Sequence, residues 1–220
     1  MRRLVCAAAL LLAIACGGGS KNSTPTTPTT PTTPTPTNRA PTINSMSFTP
    51  SFGIQQLTTF SYSVSASDPD GDTLTYSWDI AGNTATGTNG TISFSSGGNA
   101  TARVTASDGK GGTATDSRTF IVGSMTGRWT GSFDVWNFTT NLTQNNTVLT
   151  GDYSDQLGAG RLDSASANTI DANGNVVLRY KQSTFSDFTF RGTMDSTGRR
   201  VTGGVFGSGY NGTPFTMNKQ

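Results

Sequence analysis

The sequence contains no histidine and no glutamate, and these two absences narrow the chemistry it can carry. All 13 acidic residues are aspartate. Without histidine the chain lacks the commonest general base and the commonest metal ligand of proteins. Glutamate favours helices whereas aspartate favours turns, so an acidic complement made only of aspartate favours β structure.

Charge is scarce as well, at 13% of the residues. Of the 15 basic residues, Arg2 and Arg3 lie in the leader described below, which leaves 13 basic against 13 acidic residues. A net charge near zero gives no general attraction to a polyanion, so no nucleic-acid partner is expected. Glycine, serine, threonine and asparagine are abundant instead, a composition typical of short strands and many turns.

There are only two cysteines, and the second ends a short apolar segment. Arg2 and Arg3 precede an apolar run, Leu4–Ile14, that is too short to span a bilayer and has the layout of a secretory signal peptide. Ala13–Cys16 resembles the lipobox of bacterial lipoproteins, although Ala13 stands where that family most often has leucine. The resemblance implies a signal peptide over residues 1–15 and a lipid attached to Cys16. The alternative is an ordinary signal peptide cut near Ala15.

The segment 16–38 reads as a linker. Gly17–Ser20 is a flexible tether, and Thr24–Thr37 consists of threonine and proline alone. Such a segment has almost nothing apolar to bury, so we predict a disordered stalk of extended polyproline II character, roughly 43 Å long. Gly17 after the cysteine resembles the outer-membrane-sorted class of lipoproteins, which implies a bacterial cell envelope location with the membrane face left open.

Residues 39–123 show recurrent alternation of apolar and polar residues, the pattern of half-buried strands. About seven short strands separated by turns predict an immunoglobulin-like β-sandwich. Two segments, Ser67–Asp79 and Val104–Gly112, resemble the polycystic-kidney-disease-type (PKD) and cadherin-like repeats of surface proteins. That resemblance implies a seven-stranded sandwich with a spacer or contact role and no catalysis. Trp78, midway along one strand, is expected in the core.

Three aspartates, Asp68, Asp70 and Asp72, alternate around Gly71 within the first of these segments. Alternate carboxylates can converge on a hard cation, which makes this run a candidate calcium site and calcium the only cofactor considered. The run lacks the other ligands of an EF-hand loop. The preferred interpretation is a polar turn in which aspartate accepts backbone amides and glycine supplies a positive φ.

Residues 124–220 read as eight further short strands, each followed by a turn rather than a helix. Sequential hairpins of this kind predict a small antiparallel up-and-down β-barrel, so the whole chain is expected to be all-β. The segments Gly127–Phe133, Leu149–Gly151 and Val201–Gly204 resemble lipocalin-like and avidin-like small barrels. The resemblance implies a ligand cavity with Trp129 at the closed end. A barrel filled by its own side chains is the equal alternative.

One face of the barrel strands carries the aromatic residues that such a cavity would expose to a small apolar ligand: Trp129, Phe133, Phe188, Phe190 and Phe215. Two motif matches are rejected. Gly207–Gly212 fits a dinucleotide-binding pattern but lies between two strands with no helix. Ser107–Lys110 fits a serine–lysine hydrolase pattern but lies in a glycine-rich turn. No catalytic residue is assigned.

The sequence therefore predicts a lipoprotein anchored in the cell envelope, with a stalk, a sandwich and a barrel. Its expected role is non-catalytic binding or adhesion to a glycan, a protein or a small apolar ligand, with the membrane reached through the lipid. Two alternatives stay open. One is a glycan-active enzyme that uses aspartate side chains, against which the absence of histidine and glutamate counts. The other is a purely structural surface spacer.

Overall fold

A computed structural model describes residues 36–181 and 187–220 of the chain. The signal peptide, Cys16 and the stalk up to residue 35 lie outside the described residues. Residues 37–220 form one compact unit. The described residues include no helix long and apolar enough to cross a membrane.

The first part of this unit is a β-sandwich. Its strands are β1 (Thr42–Thr49), β2 (Phe52–Ile54), β3 (Phe60–Ser67), β4 (Thr75–Ile80), β5 (Asn83–Thr86), β6 (Asn89–Ile92), β7 (Gly98–Ser107) and β8 (Thr113–Gly123). One sheet has the order β1-β3-β6 and the other the order β2-β8-β7-β4-β5. The predicted all-β class and immunoglobulin-like sandwich are confirmed.

The sandwich core is held by aromatic side chains that the alternation turns inward. Phe48, Phe60 and Phe120 pack together, with ring centroids 4.4–5.6 Å apart. Trp78 is 2% exposed, and its indole Nε1 donates a hydrogen bond to the carbonyl of Gly87 at 2.9 Å. The expectation that Trp78 lies in the core is therefore confirmed.

Two short strands were not predicted. The polar segment β5 pairs with β4 as a hairpin, because the tight turn at Ala81 and Gly82 returns the chain directly along its neighbour. The three-residue β2 pairs in parallel with β8. Its side chains pack in part against the barrel described below, so alternation of apolar and polar residues within the sandwich does not predict this strand.

The second part is a closed barrel. Its strands are β9 (Gly127–Phe133), β10 (Trp136–Asn145), β11 (Val148–Asp155), β12 (Gly158–Leu162), β13 (Thr169–Ile170), β14 (Asn175–Lys181), β15 (Phe188–Met194), β16 (Arg200–Gly207) and β17 (Tyr210–Lys219). Pairing of β17 with β9 and of β10 with β11 closes the sheet. Both β12 and β13 pair with β11 and β14, so they share one of eight positions around the barrel.

The predicted eight-stranded barrel is thus confirmed, with two local corrections. The sequence pattern predicts one of the eight strands over residues 160–165, whereas the chain turns after Leu162 and resumes pairing at Thr169. In the sequence Trp129, Phe133 and Val135 lie at alternate positions, which predicts that Val135 lies on the same face as the other two. It lies instead in the β9–β10 turn and is 75% exposed, because β9 ends at Phe133 and Asp134 adopts a positive φ of 48°.

Glycines within the strands let large rings enter the barrel. A Cβ atom on Gly131 would lie 2.5 Å from Cζ of Phe138, and one on Gly192 would lie 2.8 Å from Cζ of Phe215. Either distance is below any tolerable carbon–carbon contact. The glycines of the strands therefore act as packing positions for the interior aromatic residues.

Sandwich and barrel share a buried junction. Ile54, the last residue of β2, is fully buried in the barrel's hydrophobic cluster together with Met125 and Trp129. Phe52 and Leu57 pack against the same cluster. The segment around β2 thus closes the end of the barrel at which Trp129 lies.

Buried polar contacts fix this junction. The side chain of Gln144 in β10 accepts a hydrogen bond from the amide of Met125 at 3.0 Å and donates one to the carbonyl of Gln55 at 3.2 Å. The amide of Asn146 donates to Oε1 of Gln56 at 2.7 Å. Because a buried polar group is costly when unpaired, these bonds oppose any separation of the two modules.

Candidate binding surfaces

The structure places Asp68, Asp70 and Asp72 together in the turn between β3 and β4, with one carboxylate oxygen of each within 4.8 Å of the others. Oδ1 of Asp68 accepts hydrogen bonds from the amides of Asp70 at 2.8 Å and Asp72 at 3.2 Å. Gly71 has a φ of 78°. These are the features of the capped polar turn that was the preferred interpretation.

Two cations lie against this cluster. The guanidinium of Arg39 donates to Oδ1 of Asp70 from both Nε and Nη2, and the ammonium of Lys110 lies 2.6 Å from Oδ1 of Asp72. The hydrogen bond from Arg39 holds the pKa of Asp70 below its usual range. The hydrogen bond to Asp72 raises the pKa of Lys110. The turn is therefore largely neutralised by the chain itself.

The oxygen atoms present fit calcium only in part. Oδ2 of Asp68 and Oδ2 of Asp72 are buried and have no hydrogen-bond partner within residues 36–181 and 187–220. Carboxylate oxygens are the ligands calcium prefers, but a calcium ion takes six to eight of them. Arg39 already occupies Oδ1 of Asp70, which counts against a calcium ion at this turn. Calcium binding here stays a prediction, and a binding measurement tests it.

The five predicted cavity residues all lie inside the barrel, and all are buried. Four of them come together: Phe133, Phe188, Phe190 and Phe215 form a chain of ring contacts with centroids 4.8–6.1 Å apart. Trp129 lies apart from them at the closed end, where its Nε1 donates to the carbonyl of Met125 at 2.8 Å.

Three further rings that the sequence did not single out join this interior: Phe138, Tyr153 and Tyr180. Phe138 packs on Phe190 at 5.0 Å and Tyr153 on Tyr180 at 4.6 Å. Burial, reinforced by Asp155, raises the pKa of the Tyr153 phenol, which therefore stays protonated. Rings in mutual contact occupy this part of the barrel.

A shallow groove lies on the outer face of the barrel, across β17, β9, β10 and β11, with a volume of about 590 Å³. Uncharged hydroxyl and amide side chains dominate its lining: Thr130, Ser132, Asn137, Thr139, Ser154, Gln156, Thr216 and Asn218. Asp155 is the one ionisable residue that lines it, and its carboxylate accepts bonds from the Tyr153 hydroxyl and the Leu157 amide, both at 2.8 Å.

Sequence reasoning missed this groove. In a closed barrel the polar residues that alternate with the core residues are expected to face water, an expectation that takes no account of how they line up across neighbouring strands. Cross-strand register brings them into line, because Asn137 pairs with Ser132 and Ser132 pairs with Thr216. The sequence feature that could have indicated the groove is the repeated threonine and asparagine at outward positions of neighbouring strands.

The end of the barrel opposite the sandwich carries an apolar rim. Val135 is 75% and Leu157 49% exposed, at the tips of the β9–β10 and β11–β12 turns. Nε1 of Trp136 donates to the hydroxyl of Tyr210 at 3.0 Å, and both rings pack against the interior cluster. This pair covers the interior cluster at the rim, as Ile54 does at the other end.

The chain is thus a two-module all-β protein, and known proteins resemble its first module. The PKD domain family model matches residues 38–122. Among solved structures, the PKD1 domain of Epp from Vibrio anguillarum is 28% identical, over 39% of this chain and 96% of that one, with a TM-score of 0.31.

A second solved structure resembles the chain more weakly in sequence. It is described as giving the structural basis for the promiscuous specificity of carbohydrate-binding modules from the β-sandwich superfamily. It is 14% identical over 83% of this chain and 91% of that one, with a TM-score of 0.38. No curated protein matches the chain.

The PKD resemblance drawn from Ser67–Asp79 and Val104–Gly112 is confirmed by the family match to residues 38–122. A PKD domain fits a non-catalytic binding or adhesion role. Both predicted motif rejections also hold in the structure. Residues 207–212 join β16 to β17 as a hairpin, and residues 107–110 end β7 in a turn.

Proposed function

We propose that this protein is a non-catalytic binding protein of the bacterial cell envelope, anchored through Cys16, and that the outer groove of its barrel binds a neutral glycan. The observation that carries the proposal is the lining of the groove by uncharged hydrogen-bonding side chains. The PKD match to residues 38–122 supports a surface-binding rather than a catalytic role.

The groove matches the chemistry of a sugar chain. A neutral glycan presents many hydroxyl groups, each both a donor and an acceptor. Threonine and serine hydroxyls have the same dual capacity, and an asparagine or glutamine amide supplies two donors and an acceptor. Asn137 lies on β10 and Gln156 in the β11–β12 turn, and Oε1 of Gln156 accepts a bond from the amide of Asn137 at 3.3 Å. The groove thus offers many uncharged donors and acceptors, and Asp155 is the one ionisable side chain in its lining.

The alternative sites support the proposal less well. The aromatic rings fill the middle of the barrel, which leaves the outer face as the surface for a polar ligand. Catalysis on a glycan needs one carboxyl with a raised pKa to act as general acid. Among the described residues, hydrogen bonds instead lower the pKa of several carboxyls. Arg39, Asn38 and Ser166 lower those of Asp70, Asp108 and Asp163, in that order.

The anchor rests on the sequence alone. Cys16 follows an apolar run of signal-peptide layout, and the threonine–proline stalk follows it. A diacylglycerol with a further acyl chain holds a protein stably at a membrane, whereas one chain is marginal. In this proposal the stalk spaces the two modules from the lipid surface, and the outer membrane is the proposed site.

The test is a screen of full-length protein in detergent against neutral oligosaccharides, followed by titration of the best binder. Asn137→Ala and Thr216→Ala each remove groups that face the groove. Each should weaken binding by about 2- to 13-fold, since one hydrogen bond contributes about 0.5–1.5 kcal/mol.

Thr150→Ala is the matched control, because Thr150 lies exposed on β11 but outside the groove. Its affinity should equal that of the parent. Failure of every neutral glycan, or equal losses in all three variants, would reject the groove as a glycan site and favour the structural-spacer alternative. Turnover of a glycan that a single aspartate substitution abolishes would reject the non-catalytic role.

A further inference from the structure

A second concave site lies where the sandwich meets the barrel. This cleft has a volume of about 290 Å³. The sandwich side contributes residues 97–99, 121, 122 and 124, and the barrel contributes the turn at residues 197–199 and residues 219–220. Both modules are needed to form it, so neither module alone contains the site.

Two cations line this cleft, Arg199 and Lys219. Lys219 is half-buried: its Nζ donates to the carbonyl of Ser124 at 2.8 Å and lies 5.9 Å from the centroid of the Trp129 ring. One bond to a neutral carbonyl and one ring face leave the ammonium, which has three donors, incompletely satisfied. Arg199 is exposed at the end of the β15–β16 turn, and its carbonyl accepts the amide of Lys219 at 2.8 Å.

Neither cation is paired with an aspartate in the part of the chain that the structure describes. The ion pairs found within residues 36–181 and 187–220 join Arg39, Lys110 and Arg118 to aspartates, and none includes Arg199 or Lys219. Burial, followed by repulsion from Arg199, lowers the pKa of Lys219. Both effects are those of a positive charge that is partly removed from water and lies near a second positive charge.

We propose that this junction cleft binds an oxyanion group, a carboxylate or a phosphate, with Arg199 and Lys219 as its charged ligands. The guanidinium of arginine presents a planar pair of donors that matches the two oxygens of either group. Lys219 supplies a point charge that its backbone contact with Ser124 holds in place. The hydroxyl of Ser124, which also lines the cleft, is a further donor, whereas the hydroxyl of Thr197 already donates to Oδ1 of Asp195 at 2.7 Å.

This site is distinct from the outer groove and does not depend on glycan binding there. The groove lies on the outer face of β17, β9, β10 and β11 and contains no cation in its lining, whereas the cleft lies at the closed end and is lined by two cations. An acidic sugar and free phosphate are two sources of the same chemistry. They are separated by the choice of probe.

The experiment titrates full-length protein in detergent with inorganic phosphate, with a uronic-acid disaccharide and with a neutral disaccharide, at constant ionic strength. The melting temperature and calorimetric heat are both recorded. Phosphate or the uronate should raise the melting temperature, because a ligand bound only to the folded state stabilises it. Arg199→Gln should weaken that binding at least tenfold. Lys219→Gln should do the same if the variant folds.

Arg191→Gln is the control, since Arg191 is an exposed cation on β15 that does not line the cleft. Its response should match that of the parent. A response to phosphate alone identifies a phosphate source, and a response to the uronate alone identifies an acidic glycan. The proposal is overturned if neither anion binds, or if Arg199→Gln and Arg191→Gln lose binding equally, which would indicate general charge screening.

Discussion

Ile54 is the residue through which the sandwich should control the stability of the barrel. It belongs to β2 of the sandwich, yet its side chain is fully buried in the barrel's hydrophobic cluster. Ile54→Ala removes three carbon atoms from a closed site. Substitutions of this kind cost about 2–5 kcal/mol, because the lost transfer free energy and the cavity left behind add together.

The expected effect reaches the barrel rather than the sandwich alone. In a unit of this size 1 kcal/mol shifts the melting temperature by about 2–4 °C, so the loss corresponds to roughly 4–20 °C. Thermal unfolding of full-length protein, followed by hydrogen exchange of individual segments, measures both modules. Amides of β9, β10 and β17 should lose protection together with those of β8, in one transition shared with the sandwich.

The matched control is Ile92→Ala. Ile92 is also an isoleucine of the sandwich, but it is only partly buried and packs against the sandwich cluster. Its substitution should act less strongly. A loss of stability of less than about 1 kcal/mol for Ile54→Ala, the range of surface substitutions, would contradict this prediction. It is also refuted if barrel amides keep their protection while sandwich amides lose theirs.

Further predictions concern single residues. Trp78→Ala should destabilise the protein by about 3–5 kcal/mol in chemical denaturation, the usual loss for an emptied aromatic core site. Calcium should leave the melting temperature unchanged, because Arg39 and Lys110 already neutralise the aspartate turn; a rise that Asp70→Asn abolishes would instead identify a calcium site. Since Arg39 lowers the pKa of Asp70 in the folded state, the stability from this pair is present above the unfolded pKa and is lost as pH falls through the folded pKa. Asp70→Asn should therefore flatten the acid limb of a pH–stability curve. Cys16→Ser should abolish fatty-acid labelling and release the protein from membranes, and labelling that survives would exclude the lipid anchor.

Most of the fold could be predicted from sequence because its strands are half-buried. Alternation marks such strands directly, and it placed Trp78 and the barrel aromatics inward. It failed where a segment packs outside its own module. Ile54 lies in a three-residue strand and packs against the barrel, whose residues follow much later in the chain. Alternation of apolar and polar residues near Ile54 therefore could not predict its role.

The candidate sites also differ in whether they could be predicted from the sequence, and the difference again depends on whether their residues are close together in the chain. The aspartate turn is local in sequence, so its three carboxylates could be named in advance, although their partner Arg39 lies 31 residues from Asp70. The outer groove depends on cross-strand register, and the junction cleft depends on the packing of the sandwich against the barrel. Neither feature is local in sequence, so neither site could be named in advance. Arg199 and Lys219 are 20 positions apart and resemble ordinary surface cations until the junction brings them together.

The buried junction changes what the sandwich is expected to do. A spacer domain needs only a flexible connection to the module it carries, and interfaces between such domains are usually polar and mobile. Here a fully buried isoleucine and the paired side chain of Gln144 fix one module on the other. The same junction forms the cationic cleft, so a substitution that loosens it should weaken anion binding without touching Arg199 or Lys219. Ile54→Ala therefore tests both the stability of the junction and anion binding in the cleft. At a temperature where the variant remains folded, its affinity for phosphate or uronate should fall. The affinity of the outer groove for a neutral glycan should stay unchanged.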